Sequence, residues 1–270
     1  VANSTVGFAL LSGKPAFIGK IKNDNLGKSF SKSLSDNNVF YDTQPILEGP
    51  GTARCFIFVT PDAQRTMNTY IGACSLLNPE DIDEKLVQNS KITYLEGYCW
   101  EEQLAKESLI KAAEIAHKFG NKVSLTLSDP FCVERHKSKM RAFVQNNVDI
   151  LFCNEGEVKA LYETNSLDDA INMLKSEVEI GIVTKGEHGA IIVEKSIAHE
   201  IEAFPTNVVD TTGAGDFFAA GFLAGVSKNY DLVKAGMLGA ACSSEIISHY
   251  GGRPENELKA FVKNKAGLEV

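Results

Sequence analysis

Apolar runs of strand length alternate with amphipathic stretches of helix length from about residue 92 to the end of the chain. The helical stretches fall near residues 102–118 and 135–146, after the run VDILFCN up to residue 175, and from about residue 213 to residue 249. The apolar runs are ITYLEGY, VSLTLSD, VDILFCN, IGIVTKG and the pair GAIIVE and IAHEIEA. Strands separated by helix-length segments predict an α/β fold, with a mostly parallel sheet sandwiched by helices.

The first 72 residues begin with the same rhythm and then depart from it. The pattern predicts a helix over residues 1–11, a short strand over 15–21 and a helix over 26–35. TARCFIFVT and RTMNTYI then form two β-rich runs joined by the turn formers Pro61-Asp62-Ala63-Gln64. We therefore predict one α/β domain formed by residues 1–42 and 73–270, with a β-rich appendage at 43–72.

Composition and charge narrow the class of protein. The 270 residues are 44% hydrophobic and 23% charged, which are values of a globular domain and exclude disorder. The net charge of −8 argues against binding to nucleic acid or to anionic membranes. No apolar run approaches the roughly 18–20 residues that a membrane span needs. We expect a cytoplasmic location.

Cysteine and histidine spacing excludes two further classes. The six cysteines are scattered without a CxxC pair, and Cys55 and Cys153 stand within apolar runs. Buried free thiols in a reducing compartment are the interpretation that fits this pattern, rather than a disulfide framework. The five histidines show no zinc-ligand spacing.

Polar residues stand at the carboxyl ends of several predicted strands. They are Asp129, Asn154 and the segment Thr184-Lys185-Gly186. Each residue alone could cap a helix or end a strand. Because open α/β sheets bind ligands beyond the carboxyl ends of their strands, together they predict a ligand site at that edge.

The strongest motif is the segment VVDTTGAGDFFAAGF at 208–222. Its Gly213-Ala214-Gly215 turn opens an apolar helix, and small residues at a helix N-terminus make a cradle for phosphate or a developing anion. Asp216 follows in the first helical turn, where it could simply complement the helix dipole. Beside an anion cradle, a carboxylate is better explained as the group that accepts a proton from an alcohol attacking a phosphoryl group.

Two familiar nucleotide motifs are incomplete. KNDNLGKS at 22–29 ends like a P-loop, but Lys22 stands where GxxxxGK[ST] requires its first glycine. The next glycine after Gly215 is Gly221, so the GxGxxG pattern of dinucleotide-binding dehydrogenases is absent.

DTTGAGDFFAAGF at 210–222 resembles the C-terminal signature of the ribokinase-like (PfkB) carbohydrate kinase family. The opening VANSTVGFALLSGKPAFIGKIKNDNLG resembles the N-terminal signature of that family without its paired glycines. Residues 154–157 resemble its Asn-x-x-Glu motif, and residues 184–189 its Thr-x-Gly-x-x-Gly segment. The resemblance covers essentially the whole chain. Residues 58–70 and Glu96-Gly97-Tyr98 look closest to a bacterial subgroup usually called adenosine kinase or sugar kinase.

The resemblance implies ATP-dependent phosphorylation of an alcohol and assigns the catalytic groups. Asp216 would be the general base for the substrate hydroxyl. The backbone N–H groups of Gly213, Ala214 and Gly215 would donate to the charge that develops on the transferred phosphoryl group. Asn3 would bind a sugar hydroxyl, and Arg65 on the appendage, which the family uses as a lid, would reach polar or anionic substrate groups.

The same resemblance assigns the nucleotide and metal positions. Asn154 and Glu157 would hold Mg²⁺ through water. Thr184, Lys185, Gly186 and Thr212 would line the nucleotide groove, together with the glycines of the Gly-Ala-Gly turn. Asp210 would belong to a monovalent-cation loop, with K⁺ as the ion. Without the resemblance, Glu157 would be interpreted as an exposed residue in the first turn of a helix.

The chain departs from the family pattern at two places. Phe131 replaces the asparagine of an Asp-Pro-Asn element that Asp129 and Pro130 otherwise match. The first strand, its substrate-gripping aspartate and the start of the lid have no counterpart, so we expect a segment of the natural protein to precede Val1.

The leading hypothesis is a kinase that phosphorylates a primary hydroxyl of a nucleoside, adenosine first, or of a sugar. The alternatives are a ribose- or fructose-type sugar kinase and a nucleotide or sugar sensor that uses the fold without turnover. The expected partners are small molecules, and the chain would act as a monomer or as a lid-mediated homodimer. The sequence does not fix the acceptor.

Overall fold

The computed structural model describes all 270 residues, arranged in ten α-helices and ten strands. The helices are α1 Ala2–Leu10, α2 Asn25–Asp36, α3 Glu84–Gln88, α4 Gln103–Lys118, α5 Pro130–Asn147, α6 Glu155–Tyr162, α7 Leu167–Glu177, α8 Ala214–Ser227, α9 Leu232–Ile246 and α10 Leu258–Ala266. The strands are β1 Ala16–Phe17, β2 Phe40–Tyr41, β3 Arg54–Val59, β4 Arg65–Tyr70, β5 Ile92–Glu96, β6 Lys122–Thr126, β7 Ile150–Asn154, β8 Ile180–Thr184, β9 Ala190–Glu194 and β10 Ile197–Ile201. No helix is both long enough and apolar enough to cross a membrane.

The chain divides into two compact units, which are described in turn. The first unit joins Val1–Leu77 to Glu202–Val270, and the second is the intervening segment Asn78–Ile201.

The second unit is a six-stranded sheet with the order β10-β9-β8-β7-β6-β5. Strands β5 to β8 are parallel, whereas β9 and β10 each run antiparallel to the preceding strand. The four residues Ile150 to Cys153 are all buried, as expected of a parallel strand covered on both faces. The predicted fold class, an α/β fold with a mostly parallel sheet, is confirmed.

The first unit packs α1, α8 and α9 together through very small residues. A Cβ on Gly221 of α8 would lie 2.7 Å from the Leu238 carbonyl oxygen, and one on Gly239 of α9 would lie 2.8 Å from the Phe218 carbonyl oxygen. The two helix backbones therefore touch, and larger side chains there would push the helices apart. Close packing explains the small residues that follow the Gly-Ala-Gly turn in the sequence.

The predicted hairpin is present as β3 and β4, paired antiparallel from Arg54 opposite Tyr70 to Val59 opposite Arg65. Eleven of its twelve strand residues are exposed, including Phe56 at 63% and Phe58 at 62%. A ribbon with both faces open suits a lid or a pairing surface. The choice between a monomer and a lid-mediated homodimer stays a prediction.

Several local predictions differ from the structure. The strand expected over 15–21 is reduced to the two residues of β1, and α10 was not expected. Helix α5 begins at Pro130 rather than near residue 135, because the Asp129 carboxylate caps it by accepting from the N–H groups of Phe131 and Cys132. The expectation of buried thiols is wrong for two of the cysteines. Cys55 lies on the open hairpin and Cys74 is also exposed.

Candidate active site

The N-terminus of α8 presents free backbone donors. Gly213 adopts φ +83°, a left-handed conformation that favours glycine, and it turns the chain into the helix. The N–H groups of Gly213, Gly215 and Asp216 donate to no acceptor in the chain, while that of Ala214 lies 3.3 Å from the Thr211 carbonyl oxygen. A Cβ on Gly215 would meet nothing within 4 Å. The turn is therefore an open cradle with unsatisfied donors, as an anion site requires.

Asp210 braces this turn. Its buried carboxylate accepts from the Thr212 N–H at 2.9 Å and from the Gly251 N–H at 3.0 Å. Burial opposes ionisation, but these hydrogen bonds outweigh it and hold the pKa of Asp210 below its usual value. Both oxygens of Asp210 are thus engaged by the backbone, which gives the residue a structural role. Its part in a monovalent-cation loop stays a prediction.

Thr212 carries a buried polar atom that has no well-formed hydrogen bond. Its side-chain Oγ1 is enclosed and makes no hydrogen bond of good geometry, although it lies close enough to the Asp210 carboxylate to help lower the pKa of that group. Buried hydroxyls are rarely left unpaired, and an unpaired one beside an open cradle points to a ligand or water that completes it. Thr212 thus fits the predicted nucleotide-lining position.

Asp216 is held by residues at the start of α1. Its Oδ1 accepts from Ser4 Oγ at 2.7 Å and lies 3.2 Å from the Val1 nitrogen, and its Oδ2 accepts from Asn3 Nδ2 at 3.0 Å. Burial opposes ionisation of Asp216, whereas the hydrogen bonds from Ser4 and Asn3 favour its ionised form and so act to lower its pKa. The side chain is 26% exposed. It is an oriented carboxylate that stays partly open to solvent.

Two residues around Asp216 were not predicted from the sequence. Ser4 is one of them, and its only sequence signal is its place next to Asn3. The other is Arg253, whose Nη1 donates to Asn3 Oδ1 at 2.6 Å across 250 residues of sequence. Nothing in the local sequence GGRPE marks that contact.

Arg65 is the first residue of β4, and its side chain extends to the turn that precedes α8. Its Nη1 donates to Thr211 Oγ1, two residues before Gly213. The predicted lid arginine and the Gly-Ala-Gly turn therefore lie together in one unit.

Asn154 and Glu157 bind each other at the junction of β7 and α6 in the second unit. Asn154 Oδ1 accepts from the Glu157 N–H at 2.9 Å, while Glu157 accepts from the Asn154 N–H at 2.9 Å and from Asn154 Nδ2 at 2.7 Å. This reciprocal arrangement is a capping box. Glu157 is only 5% exposed, so its interpretation as an exposed helix residue is wrong.

The environment of Glu157 is unfavourable for a negative charge. Burial, together with the nearby charges of Asp129 and Glu96, raises the pKa of Glu157 to about 7, although the hydrogen bond from the Asn154 backbone opposes this. A buried carboxylate that is hard to ionise gains from a cation. Carboxylate and amide oxygens are also the donors that Mg²⁺ accepts. The residues present therefore fit a magnesium ion held through water.

Thr184, Lys185 and Gly186 follow β8, directly beside the end of β7. Thr184 is the register partner of Asn154, which brings the two predicted positions together at one sheet edge. Gly186 has φ +59° and open space where a Cβ would be. Lys185 Nζ forms an ion pair with Glu200 Oε2 at 2.8 Å. That ion pair gives Lys185 a structural role in addition to the predicted nucleotide contact.

We expect Glu157→Gln to stabilise the protein at high pH and not at low pH. Because the folded pKa is raised from 4.5 to about 7, wild-type stability falls as the pH rises through that interval. The shift is worth about 3 kcal/mol, which is an upper bound for the gain at pH 8. Urea unfolding without Mg²⁺ at pH 5 and pH 8 measures it. Glu187→Gln is the control, since that side chain is 90% exposed. Equal effects of the two substitutions at both pH values would contradict the prediction.

The predicted site residues thus fall into two groups. Asn3, Arg65, Asp210, Thr212 and 213–216 belong to the first unit, whereas Asn154, Glu157 and 184–186 belong to the second. Within the first group Asn3 and Asp216 are in direct contact. Within the second, Asn154 and Glu157 are in contact and Thr184 lies in register beside them.

The chain matches a profile of a known protein family and several curated proteins. The sequence profile described as "pfkB family carbohydrate kinase" matches residues 1–258. Among curated relatives, probable fructokinase-3 of Arabidopsis thaliana is 28% identical over 231 residues, which are 82% of this chain. The chain spans 66% of the length of that relative.

Two solved structures are similar over 98% of this chain. They are a probable sugar kinase from Rhizobium etli CFN 42 and an adenosine kinase from Sinorhizobium meliloti. Each is 40% identical with a TM-score of 0.96, and the match covers 81% of the first and 82% of the second.

Proposed function

Because this chain belongs to the pfkB family of carbohydrate kinases, we propose that it transfers the γ-phosphoryl group of ATP to a primary hydroxyl of a small-molecule acceptor. The observation that carries the proposal is the position of Asp216. An oriented carboxylate stands in the first turn of a helix whose N-terminal N–H groups are free. A base next to a cradle of free N–H donors is the arrangement that phosphoryl transfer to an alcohol needs.

Asp216 accepts the proton of the acceptor hydroxyl while the hydroxyl oxygen attacks the γ-phosphoryl group of ATP. The free N–H groups of Gly213 and Gly215 stabilise the charge that develops on the phosphoryl oxygens. Ala214 contributes less, because its N–H already faces the Thr211 carbonyl oxygen at 3.3 Å. Asn3 holds the acceptor by a hydroxyl, and Arg65 on the hairpin adds a positive charge near Thr211.

In the second unit, Asn154 and Glu157 would hold Mg²⁺ through water, and Thr184 and Gly186 would contact the nucleotide. In the first unit, Thr212 would contact the nucleotide beside the α8 turn. A magnesium ion held by Asn154 and Glu157 would supply positive charge to offset that of the phosphate groups. Glu157 is suited to this part because its carboxylate is buried among other acidic groups and gains from a cation.

We propose adenosine as the first acceptor to test, ahead of ribose and fructose. The name of the Sinorhizobium meliloti relative supports a nucleoside, and the Rhizobium etli and Arabidopsis relatives support a sugar. The test is a coupled assay of ADP release with ATP, Mg²⁺ and a panel of nucleosides and sugars. Acceptor-dependent ADP formation, with the phosphorylated product identified by mass, supports the kinase. ATP or sugar binding without ADP formation from any acceptor overturns it in favour of a sensor.

A further inference from the structure

The guanidinium of Arg253 lies behind the proposed base, with Asn3 between them. Arg253 Nη1 donates to Asn3 Oδ1 at 2.6 Å, and Asn3 Nδ2 donates to Asp216 Oδ2 at 3.0 Å. We propose that Arg253 is a positioning residue that fixes the side-chain amide of Asn3, so that this amide donates to the Asp216 carboxylate. This inference rests on the proposed function.

The chemistry of the three side chains allows one orientation only. A guanidinium has donors and no acceptor, an ionised carboxylate has acceptors and no donor, and a primary amide has one end of each kind. Arg253 must therefore face the amide oxygen of Asn3, which turns the amide nitrogen toward Asp216. If the amide of Asn3 were reversed, its oxygen would face the carboxylate oxygen and repel it. Arg253 removes that alternative.

The segment that carries Arg253 is fixed at both ends. The Gly251 N–H donates to Asp210 at 3.0 Å, and the N–H groups of Glu255 and Asn256 donate to Glu245 Oε1 at 3.1 and 3.0 Å. A Cβ on Gly252 would lie 3.1 Å from Asn3 Nδ2, so the backbone itself is pressed against the amide. A guanidinium held in this way can fix its partner, whereas a mobile surface arginine could not.

The position of Arg253 also affects the ionisation of the proposed base, Asp216. Arg253 is the charged group that faces Asp216 from the segment after α9, while the neutral side chains of Ser4 and Asn3 donate to it from α1. Burial lowers the pKa of the Arg253 guanidinium, and the charge of Asp216 opposes that effect. By linkage, the positive charge of Arg253 favours ionised Asp216, both directly and through the donor that it orients.

The experiment compares Arg253→Met with Arg253→Lys. Methionine keeps an unbranched apolar stem but removes the charge and the donors, whereas lysine keeps one charged donor. We expect Arg253→Met to lower kcat about 10- to 100-fold, to leave the KM for ATP within about twofold, and to move the acid limb of the kcat–pH profile upward. Arg253→Lys should restore most of kcat and the profile. Lys228→Met is the control, because it removes a charge from an exposed helix end of the same unit.

A double-variant cycle tests whether the effect passes through Asn3. In the Asn3→Ala background, Arg253→Met should change kcat by less than about twofold, since the amide that it orients is gone. Full additivity of the two substitutions would overturn the inference. So would an Arg253→Met enzyme that has the wild-type pH profile.

One readout separates this inference from the proposed function. The pKa of Asp216, followed by carboxyl ¹³C NMR without substrates, should rise in Arg253→Met and return toward wild type in Arg253→Lys. If no acceptor is turned over by the wild type and this rise is still seen, the proposed function fails and the positioning role stands. If the wild type is an active kinase and the pKa of Asp216 does not move, the positioning role fails alone.

Discussion

Asp216→Asn is expected to lower the rate of phosphoryl transfer by about 10²- to 10⁴-fold, the range that general-base catalysis contributes. An amide cannot take the proton that the acceptor hydroxyl must lose, and one of its ends is a donor that meets Ser4 Oγ or Asn3 Nδ2. The loss should fall on kcat, because the free N–H groups of the α8 turn remain for the nucleotide phosphates.

The measurement is single-turnover phosphoryl transfer, with ATP affinity determined separately by calorimetry. Asp231→Asn is the matched control. It makes the same chemical change at the N-cap of α9, in the same unit, and asparagine is an equally good cap. Turnover near the wild-type rate in Asp216→Asn would remove the base assignment. A parallel loss of ATP affinity would show instead that the helix N-terminus had been disturbed.

Glu245→Leu is expected to cost about 3–5 kcal/mol of unfolding free energy. The Glu245 carboxylate is fully buried on α9. Its Oε1 accepts from the backbone N–H groups of Glu255 and Asn256 and from Asn256 Nδ2 at 3.0 Å. Its Oε2 lies 3.2 Å from His249 Nε2. Leucine has a similar size but leaves all of these donors without a partner, including the buried His249, and each unmade bond costs free energy. Urea unfolding at pH 6 measures the loss.

Glu245→Gln separates the hydrogen bonds from the charge. Burial disfavours the charged form of His249, but the Tyr250 carbonyl and the Glu245 carboxylate outweigh it and raise the pKa of His249. The stabilisation is therefore complete below about pH 6.5, the unfolded pKa, and is lost as the pH rises through the higher folded value.

Glutamine keeps an oxygen for the N–H donors but has no negative charge. Glu245→Gln should thus unfold with little pH dependence between pH 6 and 9, at a smaller cost than the leucine variant. A wild-type protein whose stability did not fall over that interval would contradict the role of His249.

The sheet could be predicted because its strands are short apolar runs whose neighbours in sequence are also neighbours in space. The same is true of the α8 turn, since glycine spacing and a first-turn aspartate are local features. The strand expected at 15–21 failed for the opposite reason. Its strand register with β2 comprises only the pairs Ala16–Phe40 and Phe17–Tyr41, so the strand ends at Phe17.

The surroundings of the base could not be predicted, because they depend on contacts between distant parts of the chain. Asn3 and Asp216 are 213 residues apart, and Asn3 and Arg253 are 250 apart. No periodicity places such residues together without a three-dimensional path. Glu157 was misjudged on residue type alone, because a glutamate in a first helical turn is usually exposed, whereas the packing around β7 and α6 encloses this one.

The open ribbon formed by β3 and β4 is expected to open and close rapidly. A two-stranded hairpin is at best marginally stable in water by itself, and this one has almost no buried side chain to hold it closed. Its opening costs little free energy, so amide protons of the ribbon should exchange with solvent far faster than those of the buried strand β7.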